Sequence, residues 1–192
     1  MFISKQNPQA MNKNIGIIIG SLRKDSLNRR MANAILKEIN KSFNYQEINI
    51  SDLAFYNEDI DQGTPPMSYI NFRNSLDRHD AFLFFTPEYN RSIPAVLKNA
   101  LDVGSRPYAE NKWDNKPAGI ISVSPSTIGA FGANHHLRQC CTFLNIPVLQ
   151  QPEMYIGSAH TLLDENGIIK SNQTRDFLQA FMNSFELWVS KF

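Results

Sequence analysis

The chain has 192 residues, a length that suits one domain with a substantial buried core. Its 42% hydrophobic and 19% charged residues sum to a formal net charge of +1, which gives no electrostatic reason to expect nucleic acid or an anionic membrane as partner. No apolar run approaches the length needed to span a bilayer.

The lead over residues 1–13 is polar, lacks the apolar core of a signal peptide and reads as disordered, leaving residues 14–192 as a single domain. From residue 15 the pattern alternates strand and helix. IGIIIG (15–20) is a β-branched apolar run ending in Gly, as in a buried parallel strand. Leu27, Met31, Ile35 and Ile39 then repeat at helical spacing. YQEINI (45–50) reads as a second strand, followed by a loop over 51–66 with the breaker pair Pro65-Pro66 and a helix over 67–78. AFLFF (81–85) is the third strand. A helix starts at Pro94, where a missing N–H costs little, and runs to Gly104. AGIISVS (118–124) is the fourth strand, a helix covers 131–144, and PVLQ (147–150) is the fifth strand. The last helix is expected to bury Phe177, Phe181, Phe185 and Trp188.

This alternation implies an α/β fold with right-handed crossovers and helices on both faces of a parallel sheet. Five strands suit a flavodoxin-like three-layer sandwich with strand order 2-1-3-4-5. The adjacent Cys140 and Cys141 make neither a disulfide framework nor a metal knuckle, which points to a reducing cytoplasm. The four histidines lack metal-ligand spacing, so no metal is expected.

In such a sheet the loops after strands one, three and four share the carboxyl edge. The first, GSLRKDSLN (20–28), places Ser21, Ser26, Asn28 and Arg23 at a helix start, where unpaired backbone N–H groups suit a terminal phosphate. It is neither a P-loop nor a dinucleotide fingerprint. From this loop alone, a turn capped by Ser26 with a solvated Arg23 explains the residues equally well. The second, TPEYNRSIP (86–94), combines a stiffening Pro87, the amide of Asn90 and an aromatic Tyr89, and the helix start behind it leaves N–H groups free. Such a loop suits the edge of a flat heteroaromatic. An ordinary strand-to-helix turn explains it as well. The third, SVSPSTIGAFGAN (122–134), is small and hydroxyl-rich, with Gly129 and Gly132 open to unusual torsions.

Taken together, GSLRKDSLN, TPEYNRSIPAVLKNALD and SPSTIGAFGANHHLRQ resemble the NADPH-dependent FMN reductase family, which includes quinone, chromate and azo-dye reductases; the likeness runs from about Ile15 to Gly157. The resemblance implies noncovalently bound FMN, with Ser21, Arg23, Ser26, Leu27 and Asn28 at the phosphate and ribityl end. It places Pro87, Glu88, Tyr89 and Asn90 along the isoalloxazine, bordered by the Val123–Ser124 backbone, and Arg106 near the substrate face. It further implies hydride passing from NADPH or NADH through the flavin to a small-molecule electron acceptor such as a quinone, azo compound, metal oxyanion or free flavin. No catalytic side chain is assigned. Pairing with a second copy, as dimer or tetramer, is also implied, with the aromatic loop 53–56 either a wall of the site or a local core patch, the latter being the expectation for Phe55. One departure stands out: Asp25 sits where the family often has Gly, and an inward carboxylate there would repel a phosphate. Two other classes of protein remain open: a flavodoxin-type electron carrier, and a flavin-free scaffold. Against the carrier, 18 acids balance 19 bases, whereas such carriers are strongly acidic; only Asp25 argues for the scaffold.

Overall fold

Three runs that are apolar on both faces become the middle of one parallel sheet: β1 (Asn14–Ile19), β3 (Ala81–Thr86) and β4 (Ala118–Val123). The computed structural model describes residues 12–192; apart from Asn12 and Lys13, the expected lead lies outside the described residues. All of β3 and β4 is buried, as is β1 beyond Asn14. β2 (Asn44–Glu47) and β5 (Met154–Ile156) form the edges, giving the all-parallel order β2-β1-β3-β4-β5. This is the flavodoxin-like topology. Its order reverses between β1 and β3, which opens a crevice at the carboxyl ends of those strands.

Alternation along each strand divides the core in two. Ile17, Leu83, Phe85 and Ile121 face α1 (Leu27–Glu38) and α6 (Asn172–Val189), packing on Met31, Ile35, Phe181 and Phe185. Ile18, Phe82, Phe84 and Ile120 face α3 (Met67–Asp77), α4 (Ala95–Gly104) and α5 (Phe131–Phe143). There the fully buried Trp113 packs edge-on against Phe82 with centroids 4.8 Å apart, and its indole N–H donates to the Leu101 carbonyl at 3.0 Å. The aromatic ring and its polar tip are therefore both satisfied. The short α2 (Glu58–Asp61) lies within the segment expected to be plain loop. Among the described residues no helix is long and apolar enough to cross a membrane.

Three expectations change in detail. The second strand ends at Glu47, although the Ile48 N–H still reaches the Ile17 carbonyl at 2.8 Å, and Ile48 and Ile50 are buried beyond its end. The fifth strand is Met154–Ile156, not 147–150: Val148 only bridges the start of β4, and the edge strand forms after Pro152. In α6 the buried stripe is Leu178, Phe181, Met182, Phe185 and Val189, which leaves Phe177 48% exposed and Trp188 at the margin of the core.

Candidate functional site

At the switch point, the loops after β1, β3 and β4 converge on a cleft of about 180 Å³. Its walls are Ser21, Arg23, Ser26, Leu27 and Asn28 from the first loop, Pro87, Glu88 and Tyr89 from the second, and Val123, Ser124 and Pro125 from the third. Every cofactor residue expected from sequence lines this cleft except Asn90. Pro125 is the addition, carrying no polar group that would have drawn attention in sequence.

The first loop serves as cap and as cradle at once. The Ser26 hydroxyl accepts from the Arg29 N–H at 3.3 Å, fixing the start of α1. Beyond the Arg29 N–H that Ser26 takes, the first N–H groups of a helix lack intrahelical acceptors, and no acid stands there to neutralise them. Ser21, Ser26 and Asn28 are buried while Arg23 is exposed, so three uncharged groups sit inside with one cation at the rim. Asp25, the suspected obstacle, is exposed and is not part of the cleft wall.

Asn28 carries the most pointed feature of the site. Its Nδ2 donates to the Val123 carbonyl at 3.2 Å, tying α1 to β4, but its Oδ1 is buried with no hydrogen-bond partner. A buried orphan acceptor is costly, and in a cleft wall it awaits a donor from a ligand. The Val123–Ser124 backbone, expected beside a ring, is already engaged: Ser124 N–H donates to Ile156 and its carbonyl accepts from Ala159. That wall therefore contributes shape and surface. Tyr89, 48% exposed, forms the opposite wall.

The second loop differs from expectation. Tyr89 and Ser92 exchange backbone hydrogen bonds of 2.9 and 3.0 Å across a tight turn, with Asn90 at φ +50° and Arg91 at φ +67°. This hairpin separates the cleft from the start of α4. The start of α4 contributes no residue to the cleft; its Ala95 lines a second groove of about 680 Å³ with Ser92, Leu101, Arg106, His136 and Phe143 among others. Arg106 thus lies apart from the other expected residues, its guanidinium carbon 4.1 Å from the Tyr108 ring centre. His136 Nδ1 lies 2.9 Å from the Ser92 hydroxyl there, and burial raises the Cys140 thiol above its ordinary range. Though larger, the groove has, among the described residues, no buried unpaired polar atom to match Asn28 Oδ1 in the cleft. Of the two glycines expected to need unusual torsions, Gly129 does (φ +65°). Gly132 is helical, and its missing Cβ matters for space: one built there would meet Glu88 Oε2 at 2.9 Å.

A helix start with N–H groups beyond its cap, a rim arginine, an orphan acceptor and walls drawn from three loops fit a phosphorylated cofactor with a polyol chain and a planar ring. The fold and cleft thus define a flavodoxin-like nucleotide-cofactor protein. The chain belongs to the NADPH-dependent FMN reductase family, whose profile matches residues 13–161. It is 48% identical over 175 residues to a quinone reductase of Pseudomonas putida, covering 91% of this chain and 94% of that one. A 2-hydroxy-1,4-benzoquinone reductase of a Burkholderia species is 41% identical, covering 91% and 95%. Among solved structures, the flavoenzyme NAD(P)H:(acceptor) oxidoreductase FerB from Paracoccus denitrificans superimposes with a TM-score of 0.87 at 36% identity, covering 93% of this chain and 98% of that one.

Proposed function

We propose that the chain is an FMN-dependent NAD(P)H:quinone reductase. The observation that carries this reading is the three-loop cleft with the orphaned Asn28 Oδ1, in a chain so similar to named quinone reductases. When bound, FMN supplies the hydride-accepting and hydride-donating chemistry. The chain's own residues orient it. Ser21, Ser26, Arg23 and the first-turn N–H groups of α1 would hold the phosphate, and Asn28 Oδ1 would accept from a hydroxyl of the polyol chain. Pro87 to Tyr89 would border the ring from one side and the Val123–Ser124 backbone from the other, with the half-exposed Tyr89 on the side open to nicotinamide and acceptor. No side-chain acid or base is required. The carrier alternative loses ground because the relatives are named as reductases of quinones and FMN.

The acceptor is a small quinone. A second copy packs on the α4–α5 groove, where Phe143 is 87% exposed beside Ile93, Leu101 and Leu144, and Arg106 lines the same groove. Phe143→Glu is expected to shift the sedimentation coefficient to that of a monomer. The proposed setting is the cytoplasm, on the two free thiols. The functional test is steady-state NADPH and NADH oxidation with 1,4-benzoquinone after loading with FMN. Quinone-dependent turnover supports the reading; a flavin-loaded protein that turns over neither nucleotide overturns it.

A further inference from the structure

Helix α5 begins without a cap of its own. Its N-cap position is Ala130, held at φ +60°, with no side chain to accept a hydrogen bond and no acid in the first turn. The N–H of Ala133, third in the helix, is the one a capping side chain normally satisfies. It is satisfied here from elsewhere in the chain. Glu88 Oε2 accepts it at 3.0 Å, while Oε1 faces Arg91 Nη1 at 3.2 Å. The side chain of Glu88 is 13% exposed, that of Arg91 74%. The carboxylate therefore turns toward α5 from a residue that lines the cleft between Pro87 and Tyr89.

The same carboxylate bears on a strained turn. Asn90 and Arg91 are both left-handed without being glycine, a conformation that persists only where surrounding contacts over-determine it. Those contacts come from α5: Glu88 bonds Ala133 N–H, Ser92 bonds His136, and Gly132 leaves room for the carboxylate and for the Arg91 carbonyl, each about 3 Å from where a Cβ would stand (2.9 and 3.0 Å). The helix is itself anchored, since the fully buried Asn134 donates to Ser122 Oγ at 3.2 Å within β4. We propose that Glu88 is a positioning residue: it caps α5 from the neighbouring loop and thereby locks the Asn90–Arg91 turn that sets Tyr89 beside the cofactor cleft. The lock does not depend on any bound group; only its consequence for FMN rests on the proposed function.

The test uses the full chain without flavin first. Amide exchange is followed at Tyr89 and Ser92, whose N–H groups close the hairpin. Glu88→Ala is expected to speed exchange at both by about tenfold or more, because a charge-assisted bond and its dipole partner are lost. Glu88→Gln keeps an acceptor for Ala133 and is expected to hold the increase below about threefold. Gly132→Ala separates locking from mere helix stabilisation. Alanine favours the helix, yet its Cβ displaces the carboxylate, so the hairpin should open while α5 does not fray. The FMN arm compares these variants with Ser171→Ala, which removes the N-cap bond to Thr174 N–H in α6, far from the cleft. FMN quenching titrations should give a dissociation constant raised about tenfold by Glu88→Ala, with Glu88→Gln and Ser171→Ala near wild type. Unchanged exchange at Tyr89 and Ser92 in both Glu88→Ala and Gly132→Ala would overturn the lock. Faster exchange with unchanged FMN affinity would overturn its link to the cofactor, and a wild-type chain that takes up no FMN counts against the function and not the lock.

Discussion

Replacing Asn28 by alanine tests the site at its most specific atom. Two opposing changes follow in the flavin-free protein. The Nδ2 bond to the Val123 carbonyl is lost, worth about 1 kcal/mol. The buried orphan Oδ1 is lost with it, and an unsatisfied buried acceptor costs about 1–3 kcal/mol. Asn28 and Val123 both line the cleft, so water can replace the missing amide at the carbonyl. The net change in unfolding free energy should therefore stay within about 1 kcal/mol, despite the residue being only 3% exposed. With FMN present the balance differs, because Oδ1 then has its donor. One hydrogen bond of about 1 kcal/mol is lost on binding alone, roughly a fivefold rise in the dissociation constant. Urea unfolding with and without saturating FMN, together with a quenching titration, measures both quantities. A loss above about 2 kcal/mol without flavin, combined with unchanged FMN affinity, would refute the reasoning, since Oδ1 would then be satisfied within the protein and idle toward the ligand.

The buried pair Arg73–Asp61, two bonds of 2.7 Å with side chains 8% and 5% exposed, pins α2 to α3. Arg73→Met should lower the urea-derived stability by about 3 kcal/mol by stranding Asp61, and Arg73→Met with Asp61→Leu should recover most of that. A double variant as unstable as the single one would contradict this. Burial also pushes the Cys141 thiol up to about 12. The unfolded chain then loses that proton first, so stability should fall as pH rises from about 9 toward 12 and be unaffected by this group below 9. Cys141→Ala should flatten that fall only in part, because burial raises Tyr45 and Tyr155 as well. An unchanged slope of urea midpoint against pH would count against the buried thiol.

The middle of the sheet was legible because β1, β3 and β4 are covered on both faces and so appear as unbroken apolar runs. β5 was not: three residues at an edge leave too little pattern, and Val148 mimics a strand by bridging Ala118. The cleft could be read where its lining departs from an apolar core, as in the buried Ser21, Ser26 and Asn28. The path of the second loop could not. Asn90 tolerates a left-handed conformation, but Arg91 gives no sign of one, so the tight turn they form together was not evident. The direction of Glu88 was equally hidden, because its partner N–H lies 45 residues further along the chain and becomes visible only once α5 is in place. Asp25 needed the opposite correction: its charge is plain in sequence, its outward position is not.

The central claim, that this cleft holds FMN and that the bound flavin is reduced by nicotinamide nucleotide, is tested most directly by an anaerobic titration of the purified, FMN-loaded protein with NADPH and then NADH, followed in the visible flavin band. The account predicts one FMN per chain and rapid bleaching, with colour restored by one equivalent of quinone. A protein that cannot be loaded with FMN, or one whose bound flavin keeps its colour with both nucleotides, would contradict it.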